Sequence, residues 1–541
     1  MRVSILVLGF TLVAASAGAQ SAPVAGARVR QMSLEDAIRL ADGASETVEI
    51  ARAAVARANG QQIIARSQFL PQVNASASYA RTLRSQFQGF SFGGGADTTG
   101  PQVESVCAPH IDAGATAAQR QAALDASQTC PPAGGGVDFS KVGFGALNQW
   151  VVGLQFSQNI FTGARATGQA RAASAGRQAA DIELTAQRAQ LVLDVTQAYY
   201  NTALASRLVD IAQAALTWND QILQQTTRAR QVGSASEFDL LRSQVARDNQ
   251  VPVVLQRRSD AATAMLRLKQ LLEVPLDDSL QLTTPIDDAP VPTVAVASFT
   301  NGSTAPDTAA DARATVREAA ENVSAQEGLL RVARADHLPS FALTSGYQRL
   351  FFPTNTFPQF NDFRENWTVG VSAQVSLFSG GRTTGGVRVA EANLREARAR
   401  LTQAREFAAL DARVTLNQLA QAEAVWRASQ GTAEQAQRAY SIDQIRYREG
   451  LSTQTDLTQS QLLVEQAMVN RAVAARDLAV ARMKIALLKN LPLGATGVST
   501  GSGASITSGA AATLLAQPPA TQPRTTTTGA TAGSASGSNQ Q

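Results

Sequence analysis

The chain has 541 residues, of which 5% are aromatic and 17% charged, and its formal net charge is +4. Two histidines, His110 and His337, and two cysteines, Cys107 and Cys130, are too few for most metal centres or nucleophile-and-base catalysis, and the charges are too evenly interspersed for a nucleic-acid patch. The expectation is a protein with no enzymatic activity, no cofactor and no nucleic-acid partner.

Residues 1–19 read as a signal peptide: Arg2, an apolar run from Val3 to Val13, then the small-x-small pattern Ala17-Gly18-Ala19. No later stretch approaches the roughly 18 to 20 apolar residues of a membrane-spanning helix. Residues 20–282 form a first repeat. Ser33 suits the N-cap of a helix predicted to run to Gln68. Pro71, after Leu70, stands where helix must give way to strand. From Val73 to Leu83 the chain alternates, with Val73, Ala75, Ala77 and Tyr79 on one face and Asn74, Ser76 and Ser78 on the other. An inserted loop, 83–149, holds Cys107 and Cys130, for which export to an oxidising compartment predicts a disulfide. Trp150 to Phe161 alternates again. Gly163 to Val232 is free of proline and long enough for roughly 105 Å of helix. Within it Leu191, Val195, Ala198, Thr202, Ala205, Val209, Ala212 and Leu216 form a coiled-coil seam. Tyr200, Leu204, Leu208, Ile211 and Ala215 form a second stripe, which implies neighbours on two sides. After Gly233 a helix returns from Ser234 to Leu272.

Residues 283–310 are a Pro/Ala/Thr-rich linker, and 311–491 repeat the pattern. Trp150 through Gly168 matches Trp367 through Gly385 at a constant offset of 217, as do Gly233 and Gly450, and Asp239 and Asp456. Leu70-Pro71 and Tyr79 match Leu338-Pro339 and Tyr347 at an offset of 268. Strands are expected at Phe341 to Leu350 and Trp367 to Phe378, with a second long helix from Gly380 to Glu449. Residues 492–541, rich in Gly, Ser, Thr and Ala, read as a disordered tail.

Strands of ten to twelve residues with aromatics near their ends match the length and girdle of transmembrane barrel strands; a half-buried soluble sheet is the alternative. Four strands cannot close a barrel, and hydrocarbon does not tolerate an open edge, so chains must assemble. Three copies would supply twelve strands and a tube of helices.

The helix, strand, strand, long-helix layout, the Leu70-Pro71 and Leu338-Pro339 steps, and the Trp-x-x-Gly strands ending at Phe161-Thr-Gly163 and Phe378-Ser-Gly380 resemble the TolC family of outer-membrane efflux proteins. The resemblance covers about residues 30 to 491. It implies a mixed α and transmembrane-β fold: a tandem-repeat protomer giving four strands to a 12-stranded trimeric barrel, continued by a periplasmic α-helical tunnel. Homotrimer, periplasmic adaptor, inner-membrane pump and outer-membrane lipid are the implied partners, and Pro71, Pro339, Gly163 and Gly380 mark the junction of barrel and helices. His337, opposite Phe69 in the other repeat, has a structural role there.

The helix-turn tips, Arg228 to Asp239 and Ile445 to Asp456, carry two readings. Structurally, Gly233 and Gly450 end helices and the aspartates suit the next helix's dipole. By resemblance, Asp239 and Asp456 with Arg230, Arg446 and Tyr447 close the periplasmic entrance. Gln459 departs from members that place a second acidic residue there. The function so implied is a passive conduit for efflux; type I protein secretion is one alternative, and a poreless periplasmic scaffold or adaptor another.

Overall fold

A computed structural model of the protein describes residues 30–84, 111–128, 147–287, 308–353 and 363–494. The expected signal peptide, both cysteines and their disulfide, most of the linker and nearly all of the tail lie outside the described residues. In chain order the elements are β1 (Arg30–Met32), α1 (Leu34–Ala44), α2 (Glu46–Ser67), β2 (Gln72–Arg81), α3 (Ala117–Gln128), β3 (Asn148–Phe161), α4 (Arg165–Gln231), α5 (Glu237–Leu271), β4 (Leu280–Leu282), α6 (Ala314–Ala335), β5 (Ser340–Phe351), β6 (Arg364–Gln374), α7 (Arg382–Arg448) and α8 (Gln454–Leu487). The long helices α4 and α7 have 67 residues each. The chain divides into two compact units, each drawing on both repeats: Met1–Val55 with Gln178–Ala320 and Arg400–Gln541, and Ala56–Arg177 with Glu321–Ala399.

The helix expected from Ser33 to Gln68 is two helices. Ser33 caps α1, its Oγ accepting from the Asp36 N–H at 3.1 Å. At Ser45 the backbone leaves the helical region (φ −59°, ψ 122°), and the chain restarts as α2. The repeat supplies the reason: α2 and α6 both have 22 residues and begin 268 positions apart, at Glu46 and Ala314. The restart is part of the repeated unit. The last predicted strand is also displaced, starting at Arg364 and ending at Gln374 rather than running from Trp367 to Phe378.

In the first unit β1 pairs in parallel with β4, Arg30 opposite Leu280 and Met32 opposite Leu282. Tyr199, fully buried, fastens this pair: its hydroxyl donates to the Met32 carbonyl (3.0 Å) and accepts from the Thr284 N–H (2.9 Å). Around it Met32, Leu34, Ile38 and Ala41 pack with Leu191, Val195, Tyr200, Leu268, Leu272, Met483 and Leu487 in one apolar core. Arg188 grips Asp42 through two N–H groups, and this contact holds the Asp42 carboxyl below the usual carboxylate range. The seam and the second stripe predicted on α4 are both represented in the buried set, by Leu191, Val195, Thr202 and Ala212, and by Tyr200, Leu204, Ile211 and Ala215. On α7 Ala408, Ala412, Thr415, Trp426 and Ala433 are buried, while Leu410, Leu416 and Val425 stand exposed. Arg313, the residue before α6, is completely buried, and its Nη2 donates to Asp411 Oδ2 at 2.7 Å.

The second unit holds an antiparallel sheet in the order β2-β3-β5-β6. The repeat is visible in its register. Tyr79 stands opposite Trp150, and their counterparts Tyr347 and Trp367 stand opposite each other two strands away. Ring centroids are 4.9 Å apart in the first pair and 6.5 Å in the second. Such cross-strand aromatic pairs contribute up to about 1 kcal/mol each.

Beneath the sheet α4 crosses α6 with no side chain between their backbones. A Cβ built on Gly168 would stand 2.6 Å from the Gly328 carbonyl, and one on Gly328 the same distance from the Gly168 carbonyl. Ala172, Ala175 and Ala325 pack alongside. Arg171 reaches one carboxylate oxygen of Glu327 at 2.7 Å, Arg398 reaches the other at 3.3 Å, and Arg165 pairs with Asp336.

Between β3 and α4 the chain turns through Gly163 (φ 62°) and Ala164 (φ 72°); the matching turn between β6 and α7 uses Gly380 (φ 59°) and Gly381 (φ 84°). Ala164 thus holds a left-handed conformation where the other repeat has glycine, a state costing an L-residue roughly 1–2 kcal/mol. Ala164→Gly removes that cost and adds some unfolded-state entropy, so a net gain of up to about 1 kcal/mol is expected. A higher unfolding midpoint with unchanged circular dichroism checks it.

Candidate functional site

Two places in the fold carry functional geometry: the paired hairpin tips of the first unit and the sheet of the second.

At the first tip α4 ends in a turn where the Gly233 N–H donates to the Arg230 carbonyl (3.1 Å) and the Ser234 N–H to that of Ala229 (2.8 Å). At the second, the Gly450 N–H donates to Tyr447 (3.1 Å) and the Leu451 N–H to Arg446 (2.8 Å). Both glycines are left-handed, with φ 78° and 73°. The paired bonds satisfy carbonyls that a helix C-terminus otherwise leaves open. Each return helix then opens with a capping box. Ser236 Oγ accepts from the Asp239 N–H (3.1 Å) while Asp239 Oδ2 accepts from the Ser236 N–H (3.3 Å). Thr453 and Asp456 repeat this at 3.2 and 3.0 Å. Reciprocal bonds of this kind satisfy two of the helix's free N–H groups at once.

The aspartates are therefore committed first to their own helices. The Asp456 carboxyl lies below its ordinary range because the Thr453 side chain and N–H donate to it, then Ser452, with the charge of Arg446 contributing least. Arg230 pairs at 3.7 Å with Glu237, a residue that sequence reasoning did not single out. Tyr447 packs against an apolar cluster of Ile222, Tyr440, Leu457 and Val464, joined by Trp218, whose ring centroid lies 5.2 Å from that of Tyr440. What joins the two hairpins was also missed. Arg242 Nη1 donates to Thr455 Oγ1 at 2.7 Å, and the buried Gln461 donates to Asn219 Oδ1 at 3.2 Å. Arg242 lies one turn beyond Asp239, and the available signal was an arginine placed where the paired hairpin's tip would lie.

The predicted junction residues sit where helix meets strand. Pro71 directly precedes β2 and Pro339 directly precedes β5. His337 belongs to the turn that closes α6, its N–H donating to the Arg334 carbonyl. A Cβ on Gly163 would stand 2.8 Å from that of Leu338, whereas Gly380 has open space.

On the sheet one face carries Tyr79, Trp150, Leu154, Tyr347, Trp367, Val369 and Val371. Trp367, Val369 and Val371 are 73%, 69% and 68% exposed, an unusual state for large apolar side chains on a regular strand. β2 bonds only to β3 and β6 only to β5, so among the described residues each outer strand has one unpaired edge. A sheet with an apolar outer face suits lipid only when its edges are closed. Among the described residues no helix is long and apolar enough to cross a membrane, and no group of three acidic, histidine or cysteine side chains is placed to hold a metal ion.

Comparison with solved structures shows the same fold. The outer membrane protein VceC of Vibrio cholerae is 16% identical, with 84% of this chain and 95% of that one covered and a TM-score of 0.62. The open state of the Neisseria gonorrhoeae MtrE outer membrane channel is 17% identical, covering 85% and 89%, at 0.64. The Campylobacter jejuni CmeC outer membrane channel is 17% identical, covering 85% and 86%, at 0.58. No curated protein matches the chain in sequence. The profile of the family described as outer membrane efflux protein matches residues 37–273 and 305–490. By these two stretches, one in each repeat, the chain belongs to the outer membrane efflux protein family, and its place is the outer membrane.

Proposed function

We propose that three copies of the chain close a twelve-stranded barrel and work as a passive efflux conduit, with a helical tunnel in the periplasm that receives cargo from an adaptor protein and an inner-membrane pump. The observation that carries this reading is the four-stranded sheet with an apolar exposed face and two unpaired edges. In hydrocarbon each unpaired backbone group costs several kcal/mol, so the edges must meet other strands. Three times four strands lies within the range of outer-membrane barrels, and cyclic closure leaves no edge. The exposed Leu410, Leu416 and Val425 on α7 give a neighbouring protomer apolar surface to cover. Energy for transport would come from the pump; the conduit's own contribution is its lining and the hairpin tips, with Asp239, Asp456, Arg230, Arg446 and Tyr447 at the entrance.

Detergent-purified protein is expected to have the mass of three chains by light scattering and to produce discrete conductance steps in planar bilayers. Single chains, or three chains that never conduct, would overturn the reading.

A further inference from the structure

Several arginines of the first unit are each answered by an acid: Arg188 by Asp42, Arg247 by Asp220 and Asp248, Arg313 by Asp411 and Arg405 by Asp311. Arg207 on α4 and Arg438 on α7 are not. Among the described residues neither guanidinium has a hydrogen-bond or ion-pair partner. Both line one cavity of about 360 Å³.

The cavity lies where α4, α7 and α8 meet the segment that follows β4. Ile286 of that segment, with Ala433, Met468 and Ala472 of the two helices, gives it an apolar wall. Arg471 of α8 also lines it and is fixed in place: Nη2 stands 3.6 Å from Asp287 Oδ2, and the guanidinium carbon lies 5.7 Å from the centroid of the Trp426 ring. Glu434, one turn before Arg438, is the other acid in the lining. Arg471 and Asp287 cancel, and Glu434 offsets one of the two remaining arginines. A single positive charge is left beside an apolar wall.

The repeat shows that the packing of the hairpins does not call for these charges. At the offset of 217, Arg438 corresponds to Gln221, Glu434 to Thr217, Arg207 to Ala424 and Arg471 to Val254, which is buried. The same helical framework is therefore built once without any of the four charges and once with a charged cavity. We propose that the cavity binds a small organic monoanion with an apolar body, such as an aromatic carboxylate, whose anionic head is taken by Arg207 and Arg438.

The chemistry selects this class in three ways. A guanidinium presents a planar fork of N–H donors that matches the two oxygens of a carboxylate, which a neutral ligand cannot exploit as well. The apolar wall of Ile286 and Met468 gains from covering hydrocarbon, which a small hydrated ion lacks. The volume lies at the lower end of the range for small-molecule sites and suits a ligand of roughly ten to fifteen non-hydrogen atoms. Because Arg207 and Arg438 belong to different helices, a bound anion ties α4 to α7 and stabilises the folded chain by mass action. The site lies within one chain and does not depend on how many copies assemble.

The test is isothermal titration calorimetry on the full-length chain in amphipol, with 2-naphthoate as the probe. Saturable binding at one site per chain is expected, with a dissociation constant on the order of 0.1 mM. Naphthalene-2-methanol keeps the body without the charge and acetate keeps the head without the body; each is expected to bind at least about tenfold more weakly. Arg207→Gln and Arg438→Gln should each weaken 2-naphthoate by about tenfold, and Glu434→Gln, which removes an opposing charge, should tighten it by about threefold. Arg413→Gln, at an exposed arginine on α7 outside the cavity lining, should change nothing. Arg207, Arg438 and Glu434 are exposed, so circular dichroism and the unfolding midpoint without ligand are expected to match the parent in every variant. Saturating 2-naphthoate should raise the parent's midpoint and leave that of Arg207→Gln with Arg438→Gln where it is. An absence of saturable binding up to about 5 mM, equal binding of the alcohol, or a loss of affinity as large in Arg413→Gln as in Arg438→Gln would overturn the proposal.

Discussion

Asp411→Leu is expected to destabilise the protein by about 3–5 kcal/mol, because it strands a buried guanidinium. Arg313 is fully buried; its Nη2 donates to Asp411 at 2.7 Å and, at the longer distance of 3.4 Å, to the Leu491 carbonyl. Its Nε and Nη1, and Asp411 Oδ1, find no hydrogen-bond partner. Burial pulls the guanidinium's proton affinity down while Asp411 opposes the effect, so most of what keeps Arg313 charged comes from a single carboxylate. The pair ties the start of α6 to α7 and to the end of the return helix, where the Ala314 N–H also donates to the Lys489 carbonyl at 2.8 Å. Changing both residues, Arg313→Met with Asp411→Leu, removes the desolvation cost together with the attraction, and most of the lost stability should return. Unfolding midpoints of the single and double variants in detergent check this. A single variant as stable as the parent would show that water already reaches Arg313.

The second large effect is expected in transport. Asp456→Ala with Arg446→Ala should raise single-channel conductance in planar bilayers roughly several-fold while leaving the trimer yield unchanged, if the tips hold the entrance shut. Asp181→Ala, on α4 far from the tip in sequence, should do neither. The structure sharpens the experiment, since Asp456 serves its own capping box before it serves Arg446. Its depressed proton affinity means that its contribution is complete above the ordinary carboxylate value and is lost only as pH falls through that value to the lower folded one. Acid opening carried by Asp456 would therefore begin below about pH 4. Tip variants that stay trimeric and conduct like the parent would leave Asp456 a helix cap alone.

Strands and long helices were legible because each follows a single period over many residues and because the repeat states each pattern twice. Tyr79 opposite Trp150 and Tyr347 opposite Trp367 follow from alternation once the strands pair. The break at Ser45 was hidden because Ala44, Ser45 and Glu46 all tolerate a helix; the counterpart 268 positions on, Arg313 before α6, was the clue. The tip aspartates were legible as residues and less so as bonds. Ser236-x-x-Asp239 and Thr453-x-x-Asp456 are capping patterns, yet Glu237 as partner of Arg230 depends on the shape of the turn between them, and Arg242 as partner of Thr455 depends on how two hairpins lie together. Arg313 with Asp411 was not legible, since nothing local marks an arginine as buried when its partner is 98 residues away.

The pairing of β1 with β4 also sets an order of events. Arg30–Met32 is made some 250 residues before its strand partner, Leu280–Leu282, and Met483 and Leu487 of the same core follow about 200 residues later still. Local helices can form on the way, but contacts of such long range must await the closure of very long loops. Met32, Leu34 and Ile38 therefore stay uncovered while most of the polypeptide is delivered, together with an apolar strand face and two bare sheet edges. Surfaces of that kind associate non-specifically when exposed for long. Factors that cover these surfaces during passage to the outer membrane are expected to raise the yield, which should fall most steeply when delivery is slowed between residues 282 and 483.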